Sequence, residues 1–268
     1  MEEYKGTYIT VNCISHWYDH QAKMILEHYD TPEYDNTVFL LGAHVNPFEV
    51  YKTDYPTQKF IYYNMEQLYR NEIQIGWWYI DHMLMRIREA QQAGAILWDI
   101  DTLNEIFLNR EGIGVDKVVP IRYAKVLEDL SPRQNEDIDV LFYGSLNTRR
   151  NEVLNTLTKP LYARRATTAI IVGGTLEGLK EYIERAKIVL NIHTSAPYNR
   201  QEQTRIAYLL NNKKCVLSEP SQINYFDDGI VESNNMAESI LWLLEEDRYK
   251  EQAEKGYNIL LNKSKVLL

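Results

Sequence analysis

The chain has 268 residues, of which 45% are apolar, 25% charged and 12% aromatic, the profile of an ordinary globular protein and not of a disordered, collagen-like or disulfide-built one. Taking roughly 100–200 residues per domain, this length predicts about two compact units or one large one. With 38 acidic against 29 basic residues the formal charge is −9, which argues against a surface devoted to nucleic-acid phosphates. Cys13 and Cys215 lie far apart inside apolar runs, so buried reduced thiols are expected in place of a disulfide or zinc site. The opening MEEYKGTYITVNCISHW has no basic start or cleavable apolar stretch, and no run approaches the ~18 apolar residues of a spanning helix. A cytoplasmic protein without a transmembrane segment is expected.

In chain order, short β-branched runs at 7–14, 37–41, 59–63, 95–99 and 117–119 read as strands, and 20–28, 66–70 and 77–91 as helices. The last of these, WWYIDHMLMRIREAQ, brings Trp77, Ile80, Leu84 and Ile87 to one face, so Trp77, Trp78 and Tyr79 are expected to pack. Residues 120–139 turn polar and end in SPRQNEDID, which reads as a linker. The rhythm then restarts, with strands at 139–143, 169–172, 188–192 and 214–218, helices at 147–157, 178–186 and 201–211, and a long helical tail at 236–261. Alternating strands and helices predict parallel sheets covered on both faces. The expected architecture is two α/β Rossmann-like domains, 1–130 and 137–268, facing a central cleft where strand carboxyl ends collect ligands.

Three segments of the second half carry candidate chemistry. In DVLFYGSLNTRR, residues 139–150, a buried strand runs through Gly144 and Ser145 into a helix with Arg149 and Arg150 in its first turn. Free backbone N–H groups, the positive helix end and two guanidiniums suit a phosphate, although Gly144 alone could serve only to turn the chain. The glycine spacing of a Walker loop or a dinucleotide fingerprint is absent. In AKIVLNIH, residues 186–193, polar Asn191 and His193 end an apolar strand, where such folds place ligand contacts. Glu202 and Arg205 share a face of the next helix. They read either as a surface ion pair or as an acceptor for ribose hydroxyls beside a donor for a diphosphate. The strand CVLSE ends in Ser218 and Glu219, which either enter the same crevice or cap a turn.

The series DVLFYGSLNTRR, ERAKIVLNIH and EQTRIAYLLNNKKCVLSE resembles, in order and spacing over roughly residues 137–245, the nucleotide-sugar-binding half of GT-B glycosyltransferases, in particular the bacterial and viral glycosyltransferase family 1-like group. The first half resembles the acceptor domain of that family more loosely, through YYNMEQL and WDIDTLNEIFL, and is short for it. The resemblance implies transfer of a sugar from a nucleotide-sugar donor, UDP-linked by family habit, to a carbohydrate, lipid-linked or other hydroxyl acceptor. It implies Gly144, Ser145 and Arg149 beside the donor diphosphate, Glu202 on the ribose, Arg205 on the phosphates, and Asn191 and His193 lining the donor pocket. YNRQEQTRIAYLL, with a single glutamate, replaces the usual long glutamate-bearing helix start, so the stereochemical outcome stays open.

An inverting reaction also needs a base. His16, Asp19, His44 and Glu66 stand at the ends of first-half strands, with helix capping as the alternative for His16, Asp19 and Glu66. Asp99-Ile-Asp101 matches the DxD metal motif of the other major glycosyltransferase fold, but Asp101 is placed to cap the helix beginning TLNEIF. Neither metal nor bound cofactor is therefore expected, the nucleotide-sugar being a co-substrate. Two other readings accompany this one: a phage-type enzyme glycosylating hydroxymethylated DNA bases, disfavoured by the charge, and a non-catalytic nucleotide-sugar-binding protein.

Overall fold

The computed structural model describes residues 1–69, 77–131, 136–173, 176–195 and 199–266. The chain divides into two compact units, Met1–Val126 and Leu127–Leu268. In unit 1, β1 (Glu2–Lys5) runs antiparallel to β2 (Ile9–Cys13), and β3 (Thr37–Leu41), β4 (Lys59–Asn64), β5 (Ile96–Asp99) and β6 (Lys117–Val118) continue the sheet in parallel. The strands lie side by side in sequence order, with no reversal.

All five residues of β3 are buried, because both sheet faces are covered. On one face Val38 and Leu40 pack with α2 (Phe48–Asp54), α3 (Trp77–Gln92) and α4 (Thr102–Arg110) through Phe48, Met83, Ile87 and Leu108. On the other, Tyr29 at the end of α1 (Asp19–Tyr29) meets Phe39 and Trp98 at 5.9 and 5.1 Å between ring centres, in the tilted and edge-on geometries that aromatic quadrupoles favour. Ile80, Leu84 and Ile87 are buried as their spacing predicts, Tyr79 is 40% exposed and bonded toward His44, and the side chains of Trp77 and Trp78 lie outside the described residues.

Two expectations for this half need correcting. Residues 66–69 are not helical, and Arg70 lies outside the described residues. Side chains take the places of the helical bonds: Asn64 Oδ1 accepts the Glu66 N–H, Asn104 Oδ1 accepts the Leu68 N–H, and both amides donate to the Glu66 carbonyl. Nor is the polar stretch after Pro120 a loose linker through Val126. It is stitched to unit 1 by the Tyr63 hydroxyl on the Val119 carbonyl, by His28 Nε2 on the Tyr123 carbonyl at 2.7 Å, and by the Glu27 carboxylate, which accepts the N–H groups of Lys125 and Val126. Residues 132–135 of that stretch lie outside the described residues.

Unit 2 is a five-stranded sheet made of β7 (Ile138–Tyr143), β8 (Thr168–Ile171), β9 (Ala186–Asn191), β10 (Cys215–Ser218) and β11 (Val231–Glu232), all parallel, in the order β11-β10-β9-β7-β8. Its helices are α5 (Thr148–Ala163), α6 (Leu176–Arg185), α7 (Gln203–Asn211), α8 (Met236–Leu244) and α9 (Arg248–Val266). α5 runs on through Pro160 to Ala163, past the end expected at 157. The tail is two helices, broken where Glu246 and Asp247 take φ of 53° and 55°. α9 crosses the 227–229 turn so closely that a Cβ on Gly256 would stand 2.5 Å from the Gly229 carbonyl oxygen. Both cysteines are free and buried, and burial pushes each thiol up to about 12. Among the described residues no helix is long and apolar enough to cross a membrane.

Candidate functional site

The strand order of unit 2 reverses between β7 and β9, its neighbour on the other side from β8. At such a reversal the connections leave in opposite directions and open a crevice at the strand carboxyl ends. Gly144 follows β7 with φ of +140°, a conformation that favours glycine. The Asn147 side chain caps α5 by accepting the Arg150 N–H at 2.8 Å, and its amide donates to the Thr194 carbonyl at 2.9 Å. The start of α5 is thus pinned to the loop after β9. The Thr148 and Arg149 N–H groups are those a helix cannot pair internally.

The two arginines of that first turn do different things. Arg150 is 2% exposed and turned inward, donating to the Ile192 carbonyl and to the carbonyl and hydroxyl oxygens of Ser145, each at 2.9 Å. Burial, then the neighbouring Arg205, pulls its pKa below the usual arginine value. Arg149 forms a bidentate pair with Glu219, 2.9 and 2.5 Å, and donates to the His193 carbonyl at 2.7 Å. Glu219 also accepts the His193 N–H at 2.8 Å. Glu219 is therefore a brace between α5, β9 and β10.

Arg205, in the first turn of α7, lies over the Tyr143 ring at 5.0 Å, and its Nη2 is 3.2 Å from where a Cβ on Gly144 would stand. Its Nη1 is buried without a hydrogen-bond partner among the described residues. Glu202, at the N-cap of α7, makes no capping bond and forms no ion pair with Arg205 among the described residues; its charge is close enough to bear on Arg150. Asn191 donates to the Ser218 hydroxyl at 2.9 Å while its Oδ1 stays unpaired. His193 Nε2 faces the carbonyls of Glu219 and Pro220 at 3.2 and 3.3 Å, so Nε2 carries a proton, and the buried Nδ1 has no hydrogen-bond partner among the described residues. Gly144, Ser145, Arg149, Arg150, Asn191, His193, Glu202, Arg205, Ser218 and Glu219 all gather at this end of one sheet. A buried polar atom left unpaired costs about 1–3 kcal/mol, and three of them, Arg205 Nη1, Asn191 Oδ1 and His193 Nδ1, gather here. Ala196, Pro197 and Tyr198 of the adjoining loop lie outside the described residues.

Of the four candidate bases, unit 1 brings two together. Glu66 accepts the Tyr18 hydroxyl at 2.7 Å, and His44, 8% exposed, faces the Tyr79 hydroxyl at 3.4 Å while its carbonyl accepts from His82 at 2.9 Å. Burial pulls the His44 pKa below the usual histidine value, opposed by the nearby Glu66 charge. Asp19 is the first residue of α1 and pairs with Lys23 at 2.8 Å, while His16 is exposed. Neither caps its helix: the N-caps are Tyr18 and Ser15. Asp101 does cap α4, accepting the Leu103 N–H at 2.6 Å, and Asp99 is fully buried, accepting from Asn64, Asn104 and the Asp101 N–H. Sequence reasoning missed Tyr143, Asn147 and the tyrosines beside Glu66 and His44. An asparagine three residues before Arg150, at the start of a helix, was the available signal for Asn147.

No family model matches the chain, and no curated protein does. Among solved structures, sucrose-phosphate synthase from Thermosynechococcus elongatus matches with a TM-score of 0.52 at 12% identity, over 91% of this chain and 72% of that one. HepE from Anabaena, solved with UDP and glucose, matches with a TM-score of 0.51 at 9% identity, over 87% of this chain and 76% of that one. The chain shares the overall fold of these two structures. This likeness supports the resemblance read from residues 137–245, at the level of the fold.

Proposed function

We propose that the protein is a glycosyltransferase that takes a sugar from a nucleotide-sugar, UDP-linked, and passes it to an acceptor hydroxyl. The observation that carries this reading is Arg205: a guanidinium laid over Tyr143, at the start of α5 and beside Gly144, with a buried N–H that has no described partner. A diphosphate oxygen completes it. Glycosyl transfer needs charge stabilisation for the departing nucleoside diphosphate, and Arg205 with the Thr148 and Arg149 N–H groups supplies it without a metal. Glu202 takes the ribose hydroxyls, and Asn191 Oδ1 and His193 Nδ1 accept hydroxyls of the donor. HepE holding UDP and glucose supports the donor class.

For the acceptor, unit 1 supplies the proton acceptor. His44 is the better base of the two, because its low pKa keeps it neutral near pH 7 and Tyr79 orients it, while Glu66 favours the imidazolium that forms on proton transfer. The reading places the protein in the cytoplasm, where nucleotide-sugars are made. Calorimetric titration of UDP, GDP and ADP into the wild type and Arg205→Ala tests it. UDP is expected to bind the wild type most tightly and the variant at least about tenfold more weakly, one charge-assisted bond being worth about 1.5–3 kcal/mol. Absence of binding by all three nucleotides overturns the reading.

A further inference from the structure

We propose that the carboxyl end of α5 and the outer strand β8 form a face of unit 2 that docks on an anionic lipid surface. The proposal does not depend on the sugar-transfer reading. Between α5 and β8 lies an apolar cavity of about 170 Å³, lined by Phe142, Leu154, Leu157, Leu161 and Ile170. Tyr162 borders it and is 84% exposed, with Ile170 50% and Val172 56% exposed nearby. Among the described residues β8 is the sheet edge, bonded only to β7.

The charge around this apolar patch is one-sided. Residues 153–176 contain three basic residues, Lys159, Arg164 and Arg165, and no acidic one, in a chain of net charge −9. Lys159 and Arg165 stand one helical turn before and after Tyr162. None of the three cations makes an ion pair among the described residues. The two acids that line a surface hollow with Arg164 are already answered: Asp139 by Lys187 at 2.6 Å and Glu245 by Arg248 at 3.0 Å. Arg165 also occupies the left-handed position after the helix, φ of 55°, where glycine or asparagine is favoured, so a cation is kept there against backbone preference.

Exposed tyrosine and aliphatic side chains flanked by unpaired cations are the composition that sits at a lipid headgroup boundary, the ring entering the interface and the cations meeting phosphates. The apolar cavity gives an acyl segment somewhere to go. A second copy fits worse, because edge-to-edge pairing of β8 would set two basic strips against each other.

Sedimentation of the full chain with phosphatidylcholine vesicles, with and without phosphatidylglycerol, tests the proposal. Binding is expected only with phosphatidylglycerol and is expected to fall with added salt; because the whole chain is repelled from such a surface, that pattern identifies a local basic face. Arg165→Glu should weaken binding by roughly tenfold or more, and Tyr162→Ser should weaken it at every salt concentration. Both positions are exposed, and unchanged circular dichroism verifies folding. Equal sedimentation with neutral vesicles, or equal binding by the variants, overturns the proposal. So does capture by polyglutamate without vesicle binding, or a dimer in solution that Tyr162→Ser makes monomeric.

Discussion

Arg149 and Glu219, 70 residues apart in sequence, face each other in a two-bonded ion pair that ties the first turn of α5 to the end of β10. Their side chains are 27% and 15% exposed, between a surface pair and a buried one. Glu219→Ala leaves Arg149 unopposed and frees the His193 N–H, and should cost about 2–4 kcal/mol of stability. Arg149→Ala should cost less, because His193 still uses the carboxylate. In urea unfolding the double variant should lose less than the sum of the singles; strict additivity would remove the pair as a brace.

Glu202→Ala separates ligand binding from stability. Glu202 is half-buried and makes no cap or ion pair among the described residues, so its loss should leave the Tm of the unliganded protein nearly unchanged. UDP affinity should fall by roughly 10- to 1000-fold if the carboxylate accepts two ribose hydroxyls. Glu202→Gln, which keeps one acceptor, should lose less. Calorimetry of all three proteins decides it, and equal affinities would remove Glu202 from the site.

Burial pushes the Asp99 carboxyl up to about 7, against hydrogen bonds from Asn64, Asn104 and the Asp101 N–H that favour its charge. Between the unfolded carboxyl pKa of about 4 and about 7, the folded chain holds the proton that the unfolded chain has released. This group therefore makes stability fall as pH rises through that window and level off above it, by at most about 1.4 kcal/mol per pH unit. Subtracting the pH–stability curve of Asp99→Asn from that of the wild type should show this slope. A difference that rises with pH would mean that the three donors win over burial.

Asp101→Ala should cost about 1 kcal/mol through loss of the α4 cap. Sugar transfer by the wild type should continue in excess EDTA, since in this reading Arg205 and the α5 N-terminus carry the leaving-group charge. Turnover lost in EDTA and restored by Mn²⁺ would return Asp99 and Asp101 to consideration as metal ligands.

The strands of unit 2 are legible because β7, β9 and β10 are short apolar runs buried on both faces, and β9 and β10 end in a polar residue. The gathering of Gly144, Asn191 and Arg205 follows from alternation alone once the sheet order is known. Other features are set by partners far along the chain. The 66–69 segment looks helical until Asn104, nearly 40 residues on, takes its amide bonds. The Arg149–Glu219 pair has no local signature. β1 (EEYK) and α2 (FEVYKTD) were missed because they are short and polar, and only neighbouring elements give them a buried side. The helix expected to end at 157 continues through Pro160 to Ala163, with Leu157 and Leu161 in the core on either side of the proline.

The two sheet orders also set different conditions for assembly as the chain is made. In unit 1 each new strand is laid beside its predecessor, so pairing can advance with synthesis and never waits for a distant segment. In unit 2, β7 accepts β8 on one side but keeps its other side open until β9 emerges, 43 residues after Tyr143. An apolar strand edge is exposed for that interval. The protein thus carries a self-completing first half and a second half whose first strand, β7, is the segment most open to wrong pairing at birth.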